Sequence, residues 1–129
     1  MTASSTPEAP ATARRILLVE DNYLVASMLQ QKLGSLGCDV VGPAPSVEKG
    51  IQLAQDQTLQ GAILDINILG GTSAPIADVL TARNLPFVFI TGYASPPSLP
   101  DAFEQVPRFA KPLDDALLIT IVNNQFPRN

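Results

Sequence analysis

From Arg15 onward, short apolar runs alternate with amphipathic stretches, and the alternation predicts strands and helices in turn. Ile16-Leu17-Leu18-Val19 is a continuous apolar run of the kind that makes a strand buried on both faces. Asn22 can cap the helix that follows. Leu24, Val25, Met28, Leu29 and Leu33 recur at helical spacing there, and Gly37 stands where a left-handed residue closes a helix. A second strand fits Cys38 to Val41, cut short by Gly42 and Pro43. Ser46 caps a helix to about Gln57, with Ile51, Leu53 and Ala54 available for packing. Ala62-Ile63-Leu64 leads into Asp65 as a third strand, and a loop through Gly70 and Gly71 precedes a helix from about Pro75 to Arg83. Phe87-Val88-Phe89-Ile90 is the fourth strand. Pro96, Pro97 and Pro100 then leave room only for a short helix, Asp101 to Gln105. Val106 to Ala110 is the fifth strand, despite Pro107. The last helix runs from Asp114 to about Asn124, with Leu117, Leu118, Ile121 and Val122 on its inner face. Ile119 and Phe126 are additional apolar residues there, suited to an interface or to the core.

Five buried strands alternating with helices specify an α/β protein with a parallel sheet covered on both faces. Right-handed crossovers in so short a chain favour a five-stranded doubly wound sheet, here with a short fourth helix. Residues 1–14, rich in Ala, Ser, Thr and Pro, read as a flexible N-terminal tail, and residues 15–129 as one domain. No internal repeat and no linker to a second domain is visible.

Composition narrows the function. At 46% hydrophobic and 16% charged residues the chain is globular. A net charge of −4 and only eight scattered Lys and Arg residues argue against a nucleic-acid surface. Cys38 is the single cysteine, so no internal disulfide forms, and it reads as a small core residue in a reducing compartment. There is no histidine, which removes Ser-His and Cys-His catalysis and most catalytic zinc designs. No apolar run approaches the roughly 18 residues of a membrane helix, and no secretory signal is apparent. A cytoplasmic protein is expected.

The polar residues fall in an informative place. Glu20 and Asp21 follow the first strand, Asp65 ends the third, Thr91 ends the fourth and Lys111 ends the fifth. Open parallel sheets bind ligands at the carboxyl ends of their strands, near the point where the winding reverses, so these residues are expected in one crevice. Two carboxylates about 4 Å apart repel by roughly 4 kcal/mol at an effective dielectric of about 20. Such a cluster calls for a cation, and an all-oxygen acidic set suits Mg²⁺. Lys111 and the Thr91 hydroxyl can then hold phosphoryl oxygens, which leaves Asp65 as a nucleophile able to form an aspartyl phosphate.

Val19-Glu20-Asp21-Asn22, Ile63-Leu64-Asp65, Ile90-Thr91-Gly92 and Ala110-Lys111-Pro112 resemble, in order, the motifs of response-regulator receiver domains, over about Arg15 to Phe126. The resemblance implies a flavodoxin-like sheet of strand order 2-1-3-4-5 and a phosphoacceptor at Asp65. It also implies Mg²⁺ held by Asp21 and Asp65, with Glu20 acting through water and the Asn67 carbonyl completing the set, and a Lys111-Pro112 bond that is often cis. Pro86-Phe87-Val88-Phe89-Ile90-Thr91-Gly92-Tyr93 and the shortened segment after it are similar to the FAT-GUY receivers of alphaproteobacteria, which often stand alone. That likeness implies a histidine kinase of the HWE or HisKA2 type, or a phosphotransferase, as donor. It implies a downstream protein partner too, with no nucleic acid and no membrane.

Three departures from the family pattern stand out. Ile68-Leu69 replaces the usual Met-Pro, Ile90 replaces the usual alanine, and Arg108 stands where an aromatic switch residue is common. By strand alternation Phe109 faces the opposite side. Tyr93 and Arg108 are therefore switch candidates, with ordinary rim or packing roles as the alternative. The expected function is that of a phosphorylated signalling module, or a phosphate sink, and not of an enzyme with turnover. Two other functions fit the same residues. One is a pseudo-receiver scaffold that works unphosphorylated. The other is a small Mg²⁺-dependent phosphohydrolase, which Asn67 disfavours by standing where a second carboxylate would be needed.

Overall fold

The computed structural model describes residues 13–92 and 99–127. In chain order it contains β1 (Arg15–Val19), α1 (Tyr23–Ser35), β2 (Asp39–Ala44), α2 (Val47–Asp56) and β3 (Gly61–Asp65). A small hairpin of β4 (Asn67–Ile68) and β5 (Gly71–Thr72) follows, then α3 (Ala74–Ala82) and β6 (Phe87–Thr91). A 3₁₀ turn at Asp101–Phe103, β7 (Arg108–Ala110) and α4 (Asp115–Gln125) complete the fold. The main sheet is parallel with order β2-β1-β3-β6-β7, which is the expected 2-1-3-4-5 winding with the hairpin strands set aside. The winding reverses between β1 and β3, and that places the crevice at their carboxyl ends.

Strand alternation divides the core in two. Ile16, Leu18, Ile63, Val88 and Ile90 pack against Leu29 and Leu33 of α1 and Leu118, Ile121 and Val122 of α4. Leu17, Val19, Leu64 and Phe89 point the other way, against Ala54 of α2 and Ile76, Ala77 and Leu80 of α3. Each fully buried aliphatic or aromatic side chain stabilises by about 1.5–3 kcal/mol. Asn22, Ser46 and Asp114 cap α1, α2 and α4 by accepting from the amides of Val25, Lys49 and Leu117. Gly37 takes the left-handed conformation, φ +84°. Among the described residues no helix is long and apolar enough to cross a membrane.

The structure differs from the sequence reading at several points. β2 does not stop at Gly42-Pro43 but continues to Ala44. Gly42 adopts φ +103°, and a Cβ there would lie 2.8 Å from the Leu18 carbonyl oxygen. The register slips between Leu17 and Val19, so the Gly-Pro pair makes an irregularity in an edge strand where a terminator was expected. The fourth helix contracts to the 3₁₀ turn, and Phe103 covers that part of the sheet, edge-on to Phe87 and Phe89 at 5.9 and 6.0 Å. Leu24 and Met28 are 72% and 53% exposed, while Ala26 is buried beside Leu29 and Leu33. At 3.6 residues per turn, Leu24 and Met28 lie about 100° around the helix from Val25 and Leu29, off the face that meets the sheet. Phe126 belongs to the core, whereas Ile119 is exposed. Ala13 and Arg14, counted above with the tail, are buried, and Arg14 Nε donates to the Phe126 carbonyl. The rest of the expected tail lies outside the described residues, as do Tyr93, Pro96 and Pro97.

Candidate functional site

Glu20 begins where β1 ends and is buried. Asp21 follows it, exposed. Glu20 is held in place twice: its backbone N–H donates to the Ala44 carbonyl at 3.0 Å, and its Oε2 accepts from the Asn22 N–H at 3.1 Å. Asp65 and Thr91 are the last residues of β3 and β6 and are also buried. Lys111 follows β7, and its N–H donates to the Thr91 carbonyl at 2.8 Å, locking the ends of the two strands together. The Lys111-Pro112 peptide is cis.

These side chains converge as the strand ends require. Lys111 Nζ lies 2.9 Å from Glu20 Oε1 and 3.0 Å from Asp65 Oδ2. One carboxylate oxygen each from Glu20, Asp21 and Asp65 falls within 4.8 Å of the others. With Asn22, Asn67, Ile68 and Gly92 they line a cleft of about 310 Å³. Burial above all, then Glu20 beside it, pushes the Asp65 carboxyl from 3.8 up to about 7, against the opposing pull of Lys111. Burial also pulls the Lys111 ammonium down, but the hydrogen bonds and charges of Glu20 and Asp65 outweigh it, and its pKa lies above the ordinary lysine value.

Three carboxylates face one ammonium, so the set carries more negative charge than Lys111 can neutralise. Mg²⁺ takes oxygen ligands at about 2.0–2.1 Å, and opposite ligands on one ion therefore stand about 4 Å apart. The spread of the three oxygens and their hard-oxygen chemistry fit such an ion after small side-chain adjustments. Asn67 lies on the cleft wall at the start of the hairpin, where the backbone passes the site.

Thr91 is buried at the end of β6 and does not itself line the cleft, which its neighbour Gly92 does. Arg108 is exposed on β7, and Phe109 packs into the α1–α4 layer, on the side that strand alternation predicts. Sequence reasoning missed two features of the surroundings. The loop after Asp65 folds into the β4–β5 hairpin, for which Gly70-Gly71 was the available signal. An apolar groove of about 270 Å³, lined by Val25, Met28, Leu29, Pro112 and Leu113, opens beside the cleft and shares Lys111 with it. Val25, Met28 and Leu29, recurring at helical spacing, were its sequence trace.

No family model matches the chain. It is similar to the Phyllosphere-induced regulator PhyR of Methylorubrum extorquens, at 33% identity over 84 residues, which is 63% of this chain. The chain spans 32% of that protein's length. Among solved structures, SdrG from Sphingomonas melonis Fr1 is 36% identical with a TM-score of 0.74, covering 86% of this chain and 94% of that one. SdrG from Pseudomonas melonis Fr1, in its BeF3-activated conformation, is 34% identical with a TM-score of 0.71, over 88% and 97% of the two chains. The signal receiver domain of a modulated diguanylate cyclase from Desulfovibrio desulfuricans G20 is 30% identical with a TM-score of 0.71, over 86% and 91%. Nearly end-to-end likeness of this kind, together with a doubly wound sheet whose acids and lysine meet at its carboxyl edge, makes the chain a member of the response-regulator receiver family.

Proposed function

We propose that this receiver accepts a phosphoryl group on Asp65 in a Mg²⁺-dependent reaction and signals through altered contacts with protein partners. The observation that carries this reading is the Lys111 ammonium bridging Asp65 and Glu20 at 3.0 and 2.9 Å beside a third carboxylate. An Asp65 oxygen forms the new bond to phosphorus. The P–N bond of a phosphohistidine, or the P–O bond of acetyl phosphate, breaks, and its electron pair leaves with the donor. Lys111 follows one phosphoryl oxygen as charge builds, and Thr91 offers its hydroxyl to another. Bound by Asp21, Asp65 and the Asn67 carbonyl, with Glu20 acting through water, Mg²⁺ would supply the remaining charge neutralisation.

The donor is a histidine kinase or phosphotransferase, and the FAT-GUY likeness favours the HWE or HisKA2 type in the cytoplasm. An imidazole arriving in line with Asp65 brings its protein onto the rim of the cleft. There α1 displays Tyr23, Leu24 and Met28 at 81%, 72% and 53% exposure, next to the apolar groove. The BeF3-activated conformation of the similar SdrG supports a cleft that responds to a phosphoryl-like group. Intact-mass measurement after acetyl phosphate and Mg²⁺ tests the reading. One phosphoryl mass is expected on the wild type and none on Asp65→Asn. An unmodified wild type, or a modified Asp65→Asn, would overturn it.

A further inference from the structure

Two backbone segments carry the acids of the cleft, and both are fastened to the same short stretch of chain. The Glu20 N–H donates to the Ala44 carbonyl at 3.0 Å. On the other side, the Leu69 N–H donates to the Pro45 carbonyl at 3.3 Å, and the Val47 N–H donates to the Leu69 carbonyl at 3.0 Å. Leu69 is the tip of the β4–β5 hairpin that begins two residues after Asp65. The hairpin is closed at its base as well, because Asn67 pairs with Thr72 and the Ser73 N–H donates to the Ile66 carbonyl at 2.9 Å. Gly70, at φ +94°, gives the tip its tight turn, and a Cβ there would lie 3.5 Å from Val47 Cγ2. With arms of only two residues, such a hairpin passes a displacement at Asp65 or Asn67 on to Leu69, since it has little slack to absorb it. On β7 the Arg108 side chain is exposed, and Phe109 is turned into the α1–α4 layer.

We propose that the Ala44–Val47 segment, with the first turn of α2 behind it, reports what the cleft holds, through the backbone hydrogen bonds that tie it to Glu20 and Leu69. The proposal rests on the reading that the cleft takes Mg²⁺ and a phosphoryl group. A ligand drawn in by the carboxylates shifts the hairpin, and the shift reaches the start of α2 beside the exposed Leu69 side chain.

One substitution removes one of these three bonds without touching the acids. Val47 is the first residue of α2, a position where the amide has no intrahelical partner and proline is well tolerated. Ser46 before it has φ −136° and ψ 163°, which suits a residue preceding proline. Val47→Pro therefore deletes the donor to Leu69, while Val47→Ala trims the side chain and keeps the donor. The amide resonances of Glu48, Lys49 and Gly50 are followed while Mg²⁺ and beryllium fluoride are added, with the fluorine signal of the bound adduct reporting occupancy. In wild type and Val47→Ala these amides are expected to move with occupancy. In Val47→Pro the fluorine signal persists and the movement is reduced at least twofold, because the Pro45 and Ala44 bonds remain. Amides that stay still in an occupied wild type, or move equally in Val47→Pro, overturn the proposal. A wild type with no fluorine signal overturns the reading of the cleft, and the relay with it.

Discussion

The acidic cleft has two rims, and they are built in opposite ways. On the hairpin side the rim is backbone: Leu69, Pro45 and Val47 are joined by main-chain hydrogen bonds, and Glu20 is tied to Ala44. On the α1 side the rim is side chain: Tyr23, Leu24 and Met28 stand exposed, and Met28 lines a groove of about 270 Å³. Backbone ties carry displacement, because they move whole peptide units together. Exposed apolar side chains carry none, but they supply the surface a partner can desolvate. Under the proposed function, the open rim receives the phosphoryl donor and the tied rim transmits.

Lys111 lines both the cleft and the groove, and its loss has the largest expected effect. Lys111→Ala leaves Glu20 and Asp65 without their counter-charge, so labelling by acetyl phosphate should slow by about 10²–10³-fold, the usual cost of removing one group that stabilises developing charge. A time course of intact mass measures this, and a loss of only a few fold would deny the lysine its part. The division of the rims is sharpened by Leu24→Ala with Met28→Ala. Losing about 1 kcal/mol of apolar contact should slow phosphorylation by a histidine kinase roughly fivefold or more, with labelling by acetyl phosphate unchanged. Equal slowing with both donors would break the division.

The smallest effect concerns stability. Folding raises the Asp65 pKa from 3.8 to about 7, so the native state holds this proton more tightly than the unfolded chain. Its contribution to stability is therefore full below about pH 3.8 and is lost as pH climbs through about 7. Without divalent cations, the Tm of wild type should fall across that window more than the Tm of Asp65→Asn. Mg²⁺ should raise the wild-type Tm at about pH 8 and hardly at all near pH 4, because cation and proton compete for the same oxygens. Thermal melts of both proteins check this, and a Mg²⁺ effect independent of pH would count against the acid cluster as the binding site.

Much of this architecture was legible in the chain. Ile16 to Val19, Ala62 to Leu64 and Phe87 to Ile90 are apolar without a break, as strands buried on both faces must be, and Asn22, Ser46 and Asp114 cap the helices that the sequence placed after them. Gly42-Pro43 misled because the pair is a terminator by local propensity and becomes an irregularity only when a neighbouring strand holds it in register. Leu24 and Met28 misled because helical spacing marks an apolar face without saying whether anything covers it. The hairpin after Asp65 had no alternating apolar pattern to announce it. Its stability comes from Pro45 and Val47, more than twenty residues earlier in the chain.

By itself, the sequence determined the order of elements and the set of acids, hydroxyl and amine that end the strands, because periodicity and chain order suffice to put strand termini at one edge of a parallel sheet. Tertiary structure alone decided which carboxylates share Lys111, how far burial raises the Asp65 pKa, and which rim is tied and which is open. The reason is physical: those properties depend on distances between groups remote in the chain and on the water excluded around them, and neither quantity exists before the chain has packed.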